Sequence, residues 1–481
     1  MSHKDTENVI GEESEEEEEY QEILESTLQK NLSIEELTQN ESLLNKRIWT
    51  LAWPAMLELL LMSLFGMIDM VMVGNVNAQS LAAVGLTNQP TQLALAVFQA
   101  LNVDSTALVA RFIGAGDKEK AKAAVRQSLV LVLIMGTAIS IVGFVFAEEV
   151  VAFMGAEPDV LPLGTVYFQI ISVGWIFTTI SMGMAAVLRG VGDTMTPMRY
   201  NIVSNLLNVL GNYILIYGKF GFPAMGVAGA ALSTTITRGI AAVMALYAIY
   251  KPGSTIGLSL KDNYRFDKDL LKRLLNVGLP SAAEQLLLRT GQLVFVRTVA
   301  SLGTSVIAAH QIVLNVFSLS FTPGMAFGMA ATTLVGQSLG AKRPDIAERC
   351  GYAARRIGMY IAMGMAVIFF FFGSYIADLF TNEPDIIAMA ATSMKIIAVI
   401  QPMQSTQFIL AGALRGAGDT RWPLYSSFIG IWGIRIVLAW LFIRIGWGLI
   451  GAWFAQGCDQ IFRSIFIYSR YKTGKWKKIR V

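Results

Sequence analysis

Cysteine and histidine are almost missing from this 481-residue sequence, with two of each. Cys350 and Cys458 cannot build a disulfide framework, and no cluster of Cys, His and carboxylates has metal-ligand spacing. His3 lies in the N-terminal tail and His310 stands alone in an apolar run, where a packed polar contact is the ordinary role of such a residue and a proton relay the rarer one. There is no Walker loop and no GxGxxG opening a helix, so a nucleotide-driven pump is not indicated. Charge is scarce as well: Asp, Glu, Lys and Arg make up 15% of the chain, against roughly 25% in soluble domains. Apolar residues fill the gap at 54%. A soluble core cannot absorb that much apolar side chain without turning its surface apolar too. The bulk of the chain is expected to lie in lipid, without cofactor, resident metal or enzymatic chemistry.

The formal net charge of +3 conceals two opposite segments. Residues 1–46 carry 14 acids and 3 bases, including GEESEEEEEY from Gly11 to Tyr20. Such a run repels itself and has no apolar stripe to bury, so a disordered tail is expected, with at most a short helix around Ser33–Leu44. It has neither the basic start nor the apolar run of a signal peptide. From Arg47 onward, a membrane span needs about 20 mainly apolar residues. Twelve fit, at about 48–73, 87–110, 126–147, 160–184, 197–217, 226–249, 273–297, 306–333, 354–376, 387–412, 424–444 and 449–469. Barrel strands alternate and are half as long, so the expected fold class is all-α integral membrane. Pro54, Pro90, Pro280, Pro323 and Pro402 fall inside spans, where kinks are tolerated if neighbours satisfy the freed carbonyls.

The junctions alternate in charge. Even-numbered ones hold Arg111, Lys118, Lys120, Lys122 and Arg126, then Arg189 and Arg199, and later Lys342, Arg343, Arg349, Arg415 and Arg421. The central junction holds Lys251, Lys261, Arg265, Lys268 and Lys272. Odd-numbered ones hold Glu148, Glu149, Glu157 and Asp159, then Asp378, Glu383 and Asp385. The positive-inside rule places both termini in the cytoplasm of a multi-pass plasma-membrane protein, which assigns the basic excess to orientation and not to nucleic acid.

The two halves repeat at a constant offset of 226: Pro54 with Pro280, Glu58 with Glu284, and Gly114-Ala115 with Gly340-Ala341. Leu188-Arg-Gly-Val-Gly-Asp-Thr194 pairs with Leu414-Arg-Gly-Ala-Gly-Asp-Thr420, and Pro197 and Pro423 follow. Late in each half, Gly226, Gly229 and Ala230 match Gly448, Gly451 and Ala452 at an offset of 222. Six spans per half insert both halves the same way up. Two six-helix bundles related about the membrane normal, with a midplane cavity between them, are the architecture of an alternating-access carrier. The expected organisation is a tail (1–46), an N-lobe (47–250), a linker (251–272), a C-lobe (273–470) and a basic C-terminus (471–481). A channel more often arranges repeats around a pore in several subunits, and receptors usually lack such duplication.

On these motifs the chain resembles the multidrug and toxic compound extrusion (MATE) family. The paired LRGVGDT and LRGAGDT segments carry the resemblance, as do IDMVMVG, ALVARFIGAGD, AAHQIVLN and GLIGAW in their span order. It covers residues 47–470. It implies a monomeric H+- or Na+-coupled antiporter that expels small-molecule drugs, often organic cations, and works within membrane lipid.

A carboxylate at mid-membrane costs a few kcal/mol, about 3 on insertion scales, unless it has a partner or a job. Glu58, Asp69, Asp104, Glu284 and Asp459 are the candidates. Asp69 follows Glu58 by eleven residues, about 20° beyond three helical turns, so the two share a face about 16 Å apart. The resemblance makes Asp69 the coupling residue, with Asn208, Asn212 and Thr234 at the positions of its neighbours in sodium-coupled relatives. An Asn stands here for the second acid of that set, so either H+ or Na+ remains open. Helix-gluing hydrogen bonds are the other reading of the two Asn. Glu284, with Gln285 beside it, matches a seventh-span glutamate of NorM-like members, whose tenth-span acid is replaced here by Lys395 and by Gln401, Gln404 and Gln407. Glu58 is its repeat partner, and structural duplication is the other reading of that pair. Asp104, near the cytoplasmic end of span 2, reads as a rim carboxylate in water or a vestibule charge. Arg435 is a candidate counter-ion, and Asp459 and Arg463, at i and i+4, should pair with each other. Many Met and Phe suit a promiscuous drug cavity, although lipid packing explains most of them.

The alternative is a lipid-linked oligosaccharide flippase, or an endogenous-metabolite exporter, of related fold. A flippase cavity should be rich in Arg and Lys, whereas the midplane is expected to hold more acid than base. Topology is directly testable. A cysteine replacing Asp267 should resist an impermeant maleimide applied outside sealed cells, and ready labelling would overturn the orientation.

Overall fold

The computed structural model describes residues 41–259 and 261–479, and within them it is all helix and turn, with no strand. Residues 1–40 of the acidic segment lie outside the described residues, as does most of the expected Ser33–Leu44 helix. The helices are α1 (Glu41–Gly74), α2 (Ala78–Gly114), α3 (Lys118–Val145), the short α4 (Ala147–Phe153), α5 (Leu161–Val191), α6 (Met195–Tyr217) and α7 (Gly226–Tyr250). In the second half come α8 (Lys268–Ala300), α9 (Thr304–Gly340), α10 (Pro344–Asp378), α11 (Pro384–Gly416), α12 (Arg421–Arg444) and α13 (Gly448–Lys472). A π-helical stretch, Phe428–Arg435, interrupts α12.

Local chemistry sets the helix ends. Asn77, Asp117 and Asp267 accept hydrogen bonds from backbone N–H groups in the first turns of α2, α3 and α8, which would otherwise be orphaned. Gly192 (φ 100°) ends α5 in the left-handed conformation, and Gly418 (φ 84°) lies in the matching turn after α11. The second glycine of each repeated motif is therefore a turn residue, while the first, Gly190 or Gly416, is still helical. All five interior prolines lie inside long helices.

Most helices overrun the expected spans at the end carrying the basic loops, because hydropathy registers the lipid-embedded part and not the polar overhang. The same overhang shifts the ordered start. Residues 41–46, expected in the tail, are helical, and Leu44 is only 2% exposed. The last linker residues, from Lys268, and the first C-terminal ones, to Lys472, likewise belong to helices.

Eight helices among the described residues are long and apolar enough to cross a membrane: α1, α3, α5, α7, α9, α10, α11 and α12. Of the others of comparable length, α6, α8 and α13 are more polar, while α2, some of whose central side chains are not described, ends in the apolar stretch Ser105–Gly114. In α6 and α13 the polar groups point inward. Asn201, Asn205, Asn208 and Asn212 of α6 are buried, as are Gln456, Asp459, Gln460 and Arg463 of α13, while Leu206, Leu210, Phe454 and Ile465 face outward. Their mean hydropathy falls although their outer faces remain apolar.

One large apolar cluster joins α2, α3, α5 and α7, another joins α9, α10, α11 and α13. The entering turns of α1 and α8 are exchanged between them. Leu44, Ile48, Leu51 and Ala52 of α1 pack into the second-half cluster, and Leu274 of α8 into the first-half one. The linker is anchored too, through Gln127 Nε2 to Arg265 O at 2.7 Å.

The two halves meet at the basic-loop end, where α2 lies against α9. A Cβ on Gly114 would strike the backbone of Gln337, and one on Gly340 the backbone of Arg111. Around this crossing, Thr333 Oγ1 donates to Arg189 O (2.9 Å) and Gln337 Nε2 to Gly190 O (3.0 Å). Arg111 Nη2 donates to Ile479 O (2.8 Å). Gly340→Val should wedge this crossing open. Overpacking of this kind costs about 1–3 kcal/mol, read as a lower melting temperature in detergent together with faster thiol labelling of a cysteine placed at Thr333. An unchanged protein by both measures would refute the backbone contact.

Candidate functional site

Four carboxylates among the described side chains sit within the helical interior, three of them held by guanidinium groups and one by amides. Glu58 of α1 receives two hydrogen bonds from Arg189 Nη2 (2.8 and 2.9 Å) and one from Asn201 Nδ2 (2.7 Å). Glu284 of α8 receives two from Arg415 Nη2 (2.8 and 2.9 Å) and one from the Ser427 hydroxyl (3.1 Å). These partners correspond at the repeat offset, and so do Thr106 Oγ1 to Ala186 O (2.9 Å) and Thr332 Oγ1 to Gly412 O (2.8 Å). The arginine of each LRGxGDT segment thus reaches inward from the end of its helix to the acid of the first helix of its half. Matching ion pairs at Glu58 and Glu284 are what the reading of structural duplication expects. Gln285, beside Glu284, is half-buried and has no side-chain hydrogen bond among the described residues.

Asp459 of α13 holds two guanidiniums: Arg463, one turn on (Nε to Oδ1, 2.9 Å), and Arg435 (Nε to Oδ2, 2.9 Å). Arg435 stands at the end of the π-helical stretch, also donates to Gln292 Oε1 (3.4 Å), and lies 5.8 Å from the centre of the Phe295 ring. The expected Asp459–Arg463 pair is present, and Arg435 takes a buried structural carboxylate as its partner. His310 is fully buried between Phe295 and Trp453, with ring centres 5.7 and 5.3 Å away.

Asp69, near the end of α1, is different. Asn212 Nδ2 donates to Oδ1 at 2.7 Å. With its nitrogen turned to the carboxylate, Asn208 donates to Oδ1 at 2.9 Å and Oδ2 at 3.1 Å, while its oxygen accepts from the Thr234 hydroxyl and backbone N–H, both at 3.2 Å. That amide orientation is assigned from hydrogen-bond complementarity. The structure therefore gathers Asp69, Asn208, Asn212 and Thr234 from three helices. Asn208 and Asn212 share one face of α6 because they are four residues apart. The buried Asn212 Oδ1 has no partner among the described residues, so a carboxylate and an unused amide oxygen stand together. This suits a proton on the carboxylate or a small monovalent cation among oxygens. The side chain of Asp104 is not among those described.

One expectation fails. Acid does not exceed base in the interior, because Arg189 and Arg415, read as junction residues, reach inward, and Arg238 of α7 was not anticipated. It lies one helical turn after Thr234, on the same face of α7. A lone base in the span TTITRGIAA is the signal that would have found it.

A helical membrane protein with an internal repeat, paired interior charges and one carboxylate held by neutral amides has the build of a membrane transporter. The MatE family profile matches residues 54–214 and 280–441, once in each half. The chain is 32% identical to the uncharacterized transporter YisQ of Bacillus subtilis, over 89% of this chain and 94% of that one. It is also 32% identical to the probable multidrug resistance protein NorM of Thermotoga maritima, over 90% and 94%. Among solved structures, an outward-facing multidrug resistance MATE family transporter of the MOP superfamily shares the fold with a TM-score of 0.83 at 24% identity, covering 90% of this chain and 97% of that one. The chain belongs to the MATE family of membrane transporters.

Removing one member of a buried ion pair typically costs about 3–5 kcal/mol, because the other charge is left uncompensated. Arg415→Ala should therefore lower thermal stability sharply, and adding Glu284→Gln should recover much of the loss. A double variant no better than the single one would show that the pair is not the cause.

Proposed function

We propose that this chain is a secondary active multidrug efflux antiporter of the plasma membrane, exchanging H+ or Na+ for organic, often cationic, drugs by alternating access. The observation that carries the reading is the isolation of Asp69. Among the described interior carboxylates it alone has neutral amides, and no guanidinium, at hydrogen-bonding distance. A carboxylate locked in an ion pair keeps one charge state throughout a cycle. One held by amides can exchange a cation or proton, and each ligation state then favours a different arrangement of its helices.

In this reading all twelve long helices cross the membrane, six in each of two lobes related about the membrane normal, with the basic-loop end and both termini in the cytoplasm. The backbone crossing of α2 and α9 is then the cytoplasmic closure. Drug and ion shift the same equilibrium in opposite directions, which makes their binding mutually exclusive in effect. The likeness to a protein described as a probable multidrug resistance protein, over nearly the full length of both chains, favours drugs as substrate. The interior charge balance does not discriminate.

Asp69→Asn should insert normally, since an amide is cheaper in lipid than a carboxylate. It should lose gradient-driven efflux of a fluorescent cation from cells, tested with and without sodium. Full retention of gradient-driven efflux by Asp69→Asn, alongside its abolition by Glu284→Gln, would move coupling to the second lobe.

A further inference from the structure

Arg238 is, with Arg289 of α8, an interior arginine that the helix-tying ion pairs among the described residues leave over, and it is the one that shares a helix face with the Asp69 site. Arg189, Arg415, Arg435 and Arg463 each hold a carboxylate. Arg238 is half-buried and makes no hydrogen bond or ion pair among the described residues. It lies four residues after Thr234 on α7, 40° round from it and therefore on the same face. A helical side chain leans toward the N-terminus of its helix, here toward Thr234.

Contacts between α6 and α7 fix its level. Ser233 Oγ donates to Asn208 O (3.0 Å), and one turn along, Ser204 Oγ donates to Thr237 O (2.8 Å). Arg238 follows Thr237, so it stands near the level of Ser204. That level falls between Asn201, which is bonded to Glu58, and Asn208, which is bonded to Asp69. Glu58 already accepts three hydrogen bonds, two of them from Arg189. Asp69 has only amides. The charged groups that α1 and α7 bring to this stretch are Glu58, Asp69 and Arg238.

We propose that Arg238 is a resident competitor at Asp69: its guanidinium supplies counter-charge to the carboxylate when no cation is bound there, and so sets how tightly the first lobe holds any monovalent cation, inorganic or organic. An incoming cation meets a carboxylate whose field is already partly cancelled and a like charge that must stay nearby. Arg238 is thus a specificity-determining residue that weakens cation binding in general. The inference takes its ligand class from the antiporter reading.

Binding to purified protein in nanodiscs tests it without transport. Ethidium fluorescence reports the organic cation, and displacement of ethidium by NaCl, at ionic strength held constant with choline chloride, reports the inorganic one. Arg238→Gln should bind ethidium roughly tenfold more tightly, the order expected on removing one like charge from a partly solvated cleft. Sodium should displace ethidium at correspondingly lower concentration, and Arg238→Lys should stay near the native affinity. A folded Arg238→Gln protein with unchanged or weaker affinity for both cations would overturn the proposal. If tightening appears for ethidium alone, Arg238 acts as a steric filter and the competitor role is refuted. Should Arg238→Gln not fold, phenylglyoxal modification of Arg238 can be compared by mass spectrometry in native and Asp69→Asn protein. Several-fold faster modification in Asp69→Asn is expected, and equal rates refute the pairing. The antiporter reading fails on a separate result, gradient-driven efflux by Asp69→Asn, so the two outcomes are distinguishable.

Discussion

A carboxylate carried among apolar helices must be met by donors or by a cation, and this requirement organises the protein. Glu58 with Arg189 and Asn201 ties α1 to α5 and α6. Glu284 with Arg415 and Ser427 ties α8 to α11 and α12. Asp459 with Arg435 ties α13 to α12. Hydrophobic burial gives little direction to helices already surrounded by lipid, so packing and polar contacts of this kind set which helices meet and in which register. Asp69 satisfies the same requirement with amides alone, and it sits in a scaffold whose other acids are tied down.

The duplication shows which part of each half is scaffold and which part has diverged. The acid–arginine pair, its third donor and the Thr106/Thr332 bonds recur at the repeat offset. At that same offset Asp69 falls on Phe295, and beside this ring, where the first half has an acid, the second half has the guanidinium of Arg435. Asn208 and Asn212 correspond to Ile434 and Leu438. The Asp69 constellation was thus kept, or acquired, in one copy only.

Much of this was legible in the sequence. The twelve apolar runs read from the sequence fall on twelve long helices, eight of which are long and apolar enough to span among the described residues, and the internal offset correctly paired residues that occupy matching contacts. What was not legible depends on where side chains reach. Arg189 and Arg415 close their helices and look like junction charges, yet the long guanidinium side chains extend back into the interior. Arg238 has no patterned neighbour to announce it. The α12 π-helix leaves no mark in an apolar run, although it carries the residue that partners Asp459. The Asp69 cluster was reached through motif resemblance, and its mutual hydrogen bonds follow from the Asn208–Asn212 spacing on one face of α6. The short helix allowed around Ser33–Leu44 overlaps the start of α1 at Glu41, but the burial of Leu44 was not legible, because it depends on the other half of the chain.

Arg189 serves two masters. Its side chain holds Glu58, while its own carbonyl accepts the Thr333 hydroxyl from the opposite half, at the crossing where Gly114 and Gly340 allow backbone contact. Interior charge pairing and the seal between halves are therefore soldered at one residue, a few bonds apart. Variation during evolution or engineering cannot adjust either one in isolation at this position. Drift in the turn that follows α5 reaches the seal and the ion pair together, so adaptation to new substrates is free to run elsewhere in the interior and is constrained here.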